Sequence, residues 1–153
     1  MSRFVFKLQS VLEQRVNAER QRQRDFADAQ RRTVRIEREL ETIKEALHGG
    51  TALRRGLIDP RVLLAQARYQ SALQQKLASL RSQMETARKA MGIAQAALVE
   101  AAKQRKIMEK LRENQQRRYE TDQQRRDARD YDDLSRRLHR AQSEIESPAG
   151  LDS

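Results

Sequence analysis

The stretch SALQQKLASLRSQMETARKAMGIAQAALVEAA, residues 71–102, decides the fold. Its apolar side chains recur at alternating steps of four and three residues, at Leu73, Leu77, Leu80, Met84, Ala87, Met91, Ala94, Leu98 and Ala101. This spacing places them on one stripe of an α-helix, as in a coiled coil. Gly92 lies among alanines, where a close approach of two helices would offset its cost of about 1 kcal/mol. Since no other glycine and no proline interrupts the pattern, it predicts one helix over residues 60–146.

A second apolar stripe precedes the first and predicts a helix over residues 3–48. It consists of Phe4, Leu8, Val11, Arg15, Ala18, Arg22, Phe26, Ala29, Thr33, Ile36, Leu40, Ile43 and Leu47. Gly49 and Gly50 are typical of a helix end, and Asp59-Pro60 of a helix start, so residues 49–59 are the predicted connector. The expected fold is all-α, with two long helices in an antiparallel coiled-coil hairpin. One domain would span residues 1–146, followed by a disordered tail over 147–153.

Matching the two stripes predicts a register. Paired residue numbers would sum to 109 or 110, so that Leu40 faces Tyr69 and Phe4 faces Arg105. The second helix would then overhang the first over residues 106–146, where the three-four stripe resumes at Tyr131, Leu134, Leu138, Ala141 and Ile145. An apolar stripe that its own chain does not cover is a strong sign of an interaction surface.

Composition agrees with long helices and not with a globular core. Charged residues make up 35% of the chain and aromatic residues only 4%, while the strict periodicity argues against disorder. The net charge of +10 is spread along the chain. Such an excess favours an acidic partner or weak adhesion to nucleic acid or membrane surfaces, and a solvated helix face is the plainer alternative.

No motif indicates catalysis, a metal site or a cofactor. The chain has no cysteine, and its two histidines, His48 and His139, lie too far apart to share a site. The acidic run over residues 127–133 lacks the glycine and the spacing of a calcium loop. A two-helix hairpin also offers no water-excluding cavity, so we expect a protein that is not an enzyme. Without a signal peptide or a membrane span, we expect it to be cytoplasmic.

A basic nucleic-acid-binding coiled coil remains an alternative at this stage. Basic residues cluster at Lys103, Arg105, Lys106, Lys110, Arg112, Arg117, Arg118, Arg125 and Arg126. A basic helix that continues from a coiled coil is how zipper proteins meet DNA. Against this, eight acidic residues interleave thirteen basic ones between residues 101 and 140.

Several short motifs stand out along the chain: the opening Phe4-x-Phe6-x-Leu8-Gln9-x-Val11-Leu12, the hairpin near residue 50, Tyr69-x3-Leu73-x3-Leu77, Glu109-Lys110-Leu111-Arg112 and Asp132-Asp133-Leu134. Together they resemble the FliJ family of flagellar type III export proteins. The resemblance covers essentially the whole chain. The stalk proteins of virulence injectisomes look similar, and the sequence leaves that alternative open.

The resemblance implies a stalk similar to the central subunit of rotary ATPases. Such a protein joins a hexameric export ATPase to a membrane export-gate protein and escorts substrate-export chaperones, without a specific nucleic-acid partner. It would lie in the cytoplasm at the flagellar base, where contact with the inner face of the cell membrane is peripheral or made through partners.

The resemblance also implies two sets of site residues. The ATPase-binding candidates, at the end that carries both termini, are Phe4, Leu8, Leu111, Tyr119, Leu134 and Leu138. The export-gate candidates, near the hairpin, are Leu40, Leu47, Tyr69 and Leu73. Because the predicted register places Leu40, Tyr69 and Leu73 between the helices, a purely structural role for these three is an open alternative.

Overall fold

The computed structural model describes residues 3–53 and 59–147, and over these ranges it contains two α-helices and no strand. Helix α1 spans Gln9–Leu53 and helix α2 spans Pro60–Glu146. The two helices pack against each other as an antiparallel hairpin, which confirms the predicted all-α fold. Residues 54–58 of the predicted connector, and residues 148–153 of the predicted tail, lie outside the described ranges.

Helix α1 begins later than the sequence predicts. Two hydrogen bonds mark its start: the Gln9 amide donates to the Phe6 carbonyl (3.1 Å), and the Leu12 amide donates to the Leu8 carbonyl (3.0 Å). Before it, burial alternates: Phe4 is half-buried, Val5 is exposed and Phe6 is buried. A period of two is that of an extended chain and not of a helix. The expected start at residue 3 is therefore wrong.

Helix α1 also continues past the predicted stop. Its residues include His48 and Gly49, and no glycine in the described part of the chain has a left-handed backbone. A glycine costs a helix about 1 kcal/mol but ends it only where the chain adopts that left-handed conformation. The predicted end at residue 48 is wrong for this reason.

The start of α2 agrees with the sequence. The Asp59 carboxylate accepts a hydrogen bond from the Arg61 amide (3.0 Å), and the Asp59 carbonyl accepts one from the Leu63 amide (3.1 Å). Pro60, at the first helical position, has no amide hydrogen to leave unpaired. Asp59 is thus the N-cap of α2, as its position before Pro60 predicts.

The contacts group the chain into two compact units. We call residues 13–105 the hairpin unit, and residues 3–12 with 106–147 the terminal unit. The core of the hairpin unit is a buried cluster of Leu40, Ile43, Leu80 and Met84, against which Ile36, Leu47, Leu73 and Leu77 pack. The single domain expected over residues 1–146 stays a prediction.

The predicted register is wrong by about two heptads. In the hairpin unit the numbers of ion-paired residues sum to 124 for Glu19 and Arg105, and to 125 for Glu37 and Arg88. In the terminal unit the rings of Phe4 and Tyr119 are in contact, and these residue numbers sum to 123. A heptad stripe matches its partner again after every shift of seven residues, so periodicity alone does not select among these alignments.

Apolar packing explains which alignment is adopted. The predicted register placed Leu40 against Tyr69 and Ile43 against Gln66, whereas the observed cluster packs Leu40 and Ile43 with Leu80 and Met84. Two aliphatic partners replace an amide and a phenol, so more apolar surface leaves water. The two interhelical ion pairs form in the same alignment.

The helices do not approach closely at Gly92, contrary to the expectation from its alanine neighbours. A Cβ built on Gly92 would meet no atom within 4 Å. The residue is exposed on α2. Its helix-propensity cost is therefore not offset by tighter packing.

Candidate partner-binding surfaces

The terminal unit is built by packing the first residues of the chain onto one face of α2. The rings of Phe4 and Tyr119 lie with centroids 5.6 Å apart and planes tilted by 50°. Phe6 and Leu12 are buried in the same unit. The half-buried residues of α2 here include Met108, Gln115, Tyr119 and Gln123. Their spacing of seven, four and four residues places them on one helical face.

Hydrogen bonding supports that face at its far end. The Gln123 side-chain amide donates to the Tyr119 hydroxyl at 3.2 Å, so the phenol that contacts the Phe4 ring is also held by its own helix. A buried or half-buried tyrosine usually has such a partner for its hydroxyl. The N-terminal residues therefore cover α2 as far as about Gln123.

The uncovered part of α2 is shorter than the predicted overhang. Every residue from 124 to 147 is exposed, whereas half-buried residues recur from Met108 to Gln123. We call residues 124–147 the free segment. Its stripe carries large exposed side chains: Tyr131 (72%), Leu134 (55%), Leu138 (59%) and Ile145 (82%). The predicted start at residue 106 is wrong because the register places Phe4 fourteen residues further along α2 than expected.

The structure divides the six ATPase-binding candidates into three pairs. Phe4 and Tyr119 contact each other and hold the terminal unit together. Leu8 (39%) and Leu111 (36%) are partly exposed, and Leu134 and Leu138 lie on the free segment. All six belong to the terminal unit, but only the last pair is more than half exposed.

The export-gate candidates divide differently. Leu40 belongs to the buried cluster, and Leu47 and Leu73 pack against it. Tyr69 alone is largely exposed, at 57%. The wrong register hides this difference, because it pairs Leu40 with Tyr69 and treats both alike.

Sequence reasoning missed an exposed apolar group at the start of α2. Val62, Leu63 and Leu64 are all exposed in the same two turns that lead to Tyr69. Val62 and Tyr69 are seven residues apart, so they lie on the stripe that continues to Leu73. The available signal was the triplet of consecutive apolar residues, which a single helical stripe does not require. We call Val62, Leu63, Leu64 and Tyr69 the α2 entry patch.

Among the described residues, ion pairs within one helix are more common than ion pairs between the two helices. Arg105 Nε donates to a Glu19 carboxylate oxygen, with both side chains mostly buried. Arg88 lies 3.8 Å from Glu37, with both side chains exposed. The other ion pairs reported for the described residues, such as Lys89 with Glu85, join positions three or four apart on one helix. Arg105, a member of the basic cluster, is therefore occupied within the chain.

Two further properties bear on the chemistry available. Over residues 3–53 and 59–147, no group of three or more histidine or acidic side chains is arranged to hold a metal ion. In the same ranges, neither helix is long and apolar enough to cross a membrane.

Comparison with known proteins places the chain in a family. The family model described as "Flagellar FliJ protein" matches residues 4–144. No curated protein and no solved structure is significantly similar to the chain. The match includes both helices and nearly all of the free segment, so it covers well over half of the chain. The chain therefore belongs to the FliJ family, whose members are non-enzymatic components of flagellar protein export.

Proposed function

We propose that this protein is the stalk that links the hexameric export ATPase to the membrane export gate, and that it promotes the cycling of substrate-export chaperones. The free segment carries the proposal. It presents Tyr131, Leu134, Leu138 and Ile145 on one stripe of a helix that no other described residue covers. Family membership supports the export setting and supports the flagellar system over the injectisome.

The ATPase would bind the free segment together with the exposed edge of the terminal unit. Leu134 and Leu138 would supply the apolar anchors, because large exposed side chains at a helix surface are typical interaction sites. Leu8 and Leu111 would contribute at the edge, whereas Phe4 and Tyr119 would act by holding the unit in shape. Peripheral association with the cell membrane would follow from these partners.

The export gate would bind the α2 entry patch. Tyr69 is the one gate candidate that is largely exposed. Val62 extends its apolar surface along the same stripe, and Leu63 and Leu64 are exposed beside Val62 on the neighbouring faces of the helix. Leu40, Leu47 and Leu73 would support this surface from the core of the hairpin unit. This assignment moves the expected contact from the buried cluster to the start of α2.

Binding and stimulation of the purified export ATPase test the proposal. The variant carrying Leu134→Glu and Leu138→Glu should lose both, because charges replace the apolar anchors. A matched control carries His139→Glu and Ser143→Glu, which add the same two charges on the opposite face of the free segment. If the wild-type protein neither bound nor stimulated the ATPase, or if both variants behaved alike, the proposed role of the free segment would be wrong.

A separate experiment addresses the gate. Tyr69→Asp should weaken binding to the cytoplasmic part of the export-gate protein and leave ATPase stimulation unchanged. Gln74→Asp, which adds the same charge at an exposed position about 140° around the helix from Tyr69, is the control. Equal binding by wild type and Tyr69→Asp would exclude the α2 entry patch as the gate contact.

A further inference from the structure

The outer face of α1 carries a row of arginines that the proposed ATPase and gate contacts do not use. All of them are exposed, and at 100° per residue they lie on the side of α1 opposite Leu40 and Ile43. We call this row the arginine ridge; it consists of Arg20, Arg24, Arg31, Arg35 and Arg38. It extends for about 27 Å along the hairpin unit.

Two acidic residues border the ridge, against its five arginines. Asp28 is ion-paired with Arg31 at 3.3 Å, and Glu39 lines a groove together with Arg31, Arg35 and Arg38. None of the other four arginines makes an ion pair with another described residue. On α2 between residues 101 and 140, by contrast, thirteen basic residues are interleaved with eight acidic ones. The ridge is therefore a mainly positive line, and the guanidinium groups of Arg20, Arg24, Arg35 and Arg38 are available to a partner.

The surface between these arginines is shallow and partly apolar. Two open grooves run along it, and both are lined by Ala27 and Arg31. Val34 also lines one of these grooves, and it lies on the same face of α1 as Ala27 because the two are seven residues apart. Lys76 of α2 adds a positive charge at the edge of that groove. Small apolar residues flanked by arginines form the surface that an α-helix with a narrow apolar stripe and acidic flanks would complement.

From this geometry we infer that the arginine ridge binds an acidic amphipathic α-helix of a partner protein. Arginines at steps of four, seven, four and three residues match carboxylates that recur every three or four residues on a second helix. Each guanidinium can accept a carboxylate in a two-pronged hydrogen bond. The shape favours a helix over a flat anionic membrane, because insertion into a bilayer surface needs large apolar side chains such as Trp, Phe or Leu. The ridge offers only Ala27 and Val34.

Binding of a designed peptide to the full chain tests the inference. The probe is a synthetic helical peptide with glutamates on one face at every third or fourth position and alanines between them. We expect measurable binding by wild type and a loss of about tenfold or more when Arg24, Arg31 and Arg35 are all changed to Glu, since three attractions become repulsions. The same three positions changed to Gln should weaken binding by a smaller factor.

The matched control reverses three charges elsewhere in the hairpin unit. Arg68→Glu, Lys89→Glu and Lys103→Glu change the net charge equally at exposed positions away from the core stripe of α2. This control should retain binding within about twofold, because net charge acts weakly at a distance in physiological salt. Circular dichroism and melting temperature establish that each variant keeps its helices, and the Gln variant serves where the Glu variant does not fold.

Three results would overturn the inference. The first is an equal loss of peptide binding in the ridge variant and the α2 control, which would mean that net charge alone is responsible. The second is equal binding of a peptide with the same composition but with its glutamates spread around the helix. The third is tighter, ridge-dependent binding of anionic phospholipid vesicles or duplex DNA, which would assign the ridge to another class of partner. Selective binding of the one-faced acidic helix supports it.

Discussion

Arg105 Nε donates a hydrogen bond to the Glu19 carboxylate across 86 residues of sequence. Their side chains are 24% and 13% exposed, so this pair is more buried than the other interhelical pair described above, Glu37 with Arg88. Two apolar stripes still match after one helix is shifted by a whole heptad, so the stripes alone allow several registers. A buried charge is stable only opposite its partner, so it favours the one register in which that partner is adjacent. The pair thus helps to define the register.

Removing the carboxylate of Glu19 should destabilise the hairpin unit. We expect Glu19→Gln to lower the free energy of unfolding by about 1–2 kcal/mol, because the neutral amide removes the opposing charge and weakens the hydrogen bond from the largely desolvated Arg105 guanidinium. Urea denaturation followed by circular dichroism measures the change. Glu37→Gln is the control: its partner Arg88 is 3.8 Å away and both side chains are exposed, so its cost should stay below about 0.5 kcal/mol. Equal costs would contradict the special role of Glu19.

Crosslinking within one chain should report the observed register. The protein has no cysteine, so pairs can be introduced without a background. Glu37→Cys with Arg88→Cys should be joined by a short bismaleimide reagent in the monomer. Leu40→Cys with Tyr69→Cys, a pair of the predicted register, should not be. The reverse outcome would restore the register in which residue numbers sum to 109.

Truncation in the buried cluster should be far more costly than truncation on the surface. Leu80 is 3% exposed, and Leu80→Ala should cost about 2–4 kcal/mol through lost burial and the cavity left behind. Ile93 is 72% exposed, so Ile93→Ala should change stability by less than about 0.5 kcal/mol. Thermal or urea unfolding measures both. Similar values at the two positions would mean that Leu80 is not at the core.

Replacing the exposed glycines of the two helices by alanine should make the helices more stable. Neither Gly49 nor Gly92 would bring a Cβ within 4 Å of another atom, and no glycine in the described ranges has a left-handed backbone. Gly92→Ala should therefore stabilise α2 by up to about 1 kcal/mol, and Gly49→Ala should increase helicity near the end of α1. A destabilising Gly92→Ala would reveal a close approach at that position.

The aromatic contact should determine how firmly the chain's first residues are held. Phe4→Ala removes the ring that contacts the Tyr119 ring, and such an aromatic pair contributes about 0.5–1.5 kcal/mol beyond burial. We expect faster proteolysis within residues 3–12 and faster amide exchange there. Val5→Ala is the control, because Val5 is 74% exposed. Unchanged protection in Phe4→Ala would show that Phe6 and Leu12 suffice to hold the segment.

Local patterns in the sequence were enough to predict the helices but not their alignment. The stripe from Leu73 to Ala101 and the Asp59-Pro60 start are properties of neighbouring residues, and both the hairpin and the start of α2 follow from them. The register depends on contacts between residues far apart in sequence, such as Phe4 with Tyr119, which periodicity does not distinguish. The prediction that Gly49 and Gly50 end α1 failed for a related reason. A glycine ends a helix only where the backbone turns left-handed, and the neighbouring residues do not determine that conformation.

The candidate sites show the same contrast between features that are local in sequence and features that depend on the register. The stripe through Tyr131, Leu134 and Leu138 was visible in the sequence, and these residues are exposed in the structure. The opposite states of Leu40 and Tyr69, one buried and one exposed, depend on the register and were therefore hidden. The arginine ridge was hidden differently, because a diffuse count of charges does not show which of them share a face.

The antiparallel pairing also implies an order of folding. Contacting residues are separated by 51 positions for Glu37 and Arg88, by 86 for Glu19 and Arg105, and by 115 for Phe4 and Tyr119. Since each doubling of a closed loop adds about 0.6 kcal/mol of entropy cost, the contact with the shortest separation should form first and the others in sequence. Each closure shortens the loop that the next one must enclose. The rings of Phe4 and Tyr119 would meet last as the protein folds, and they would be the first of these contacts to separate when it unfolds.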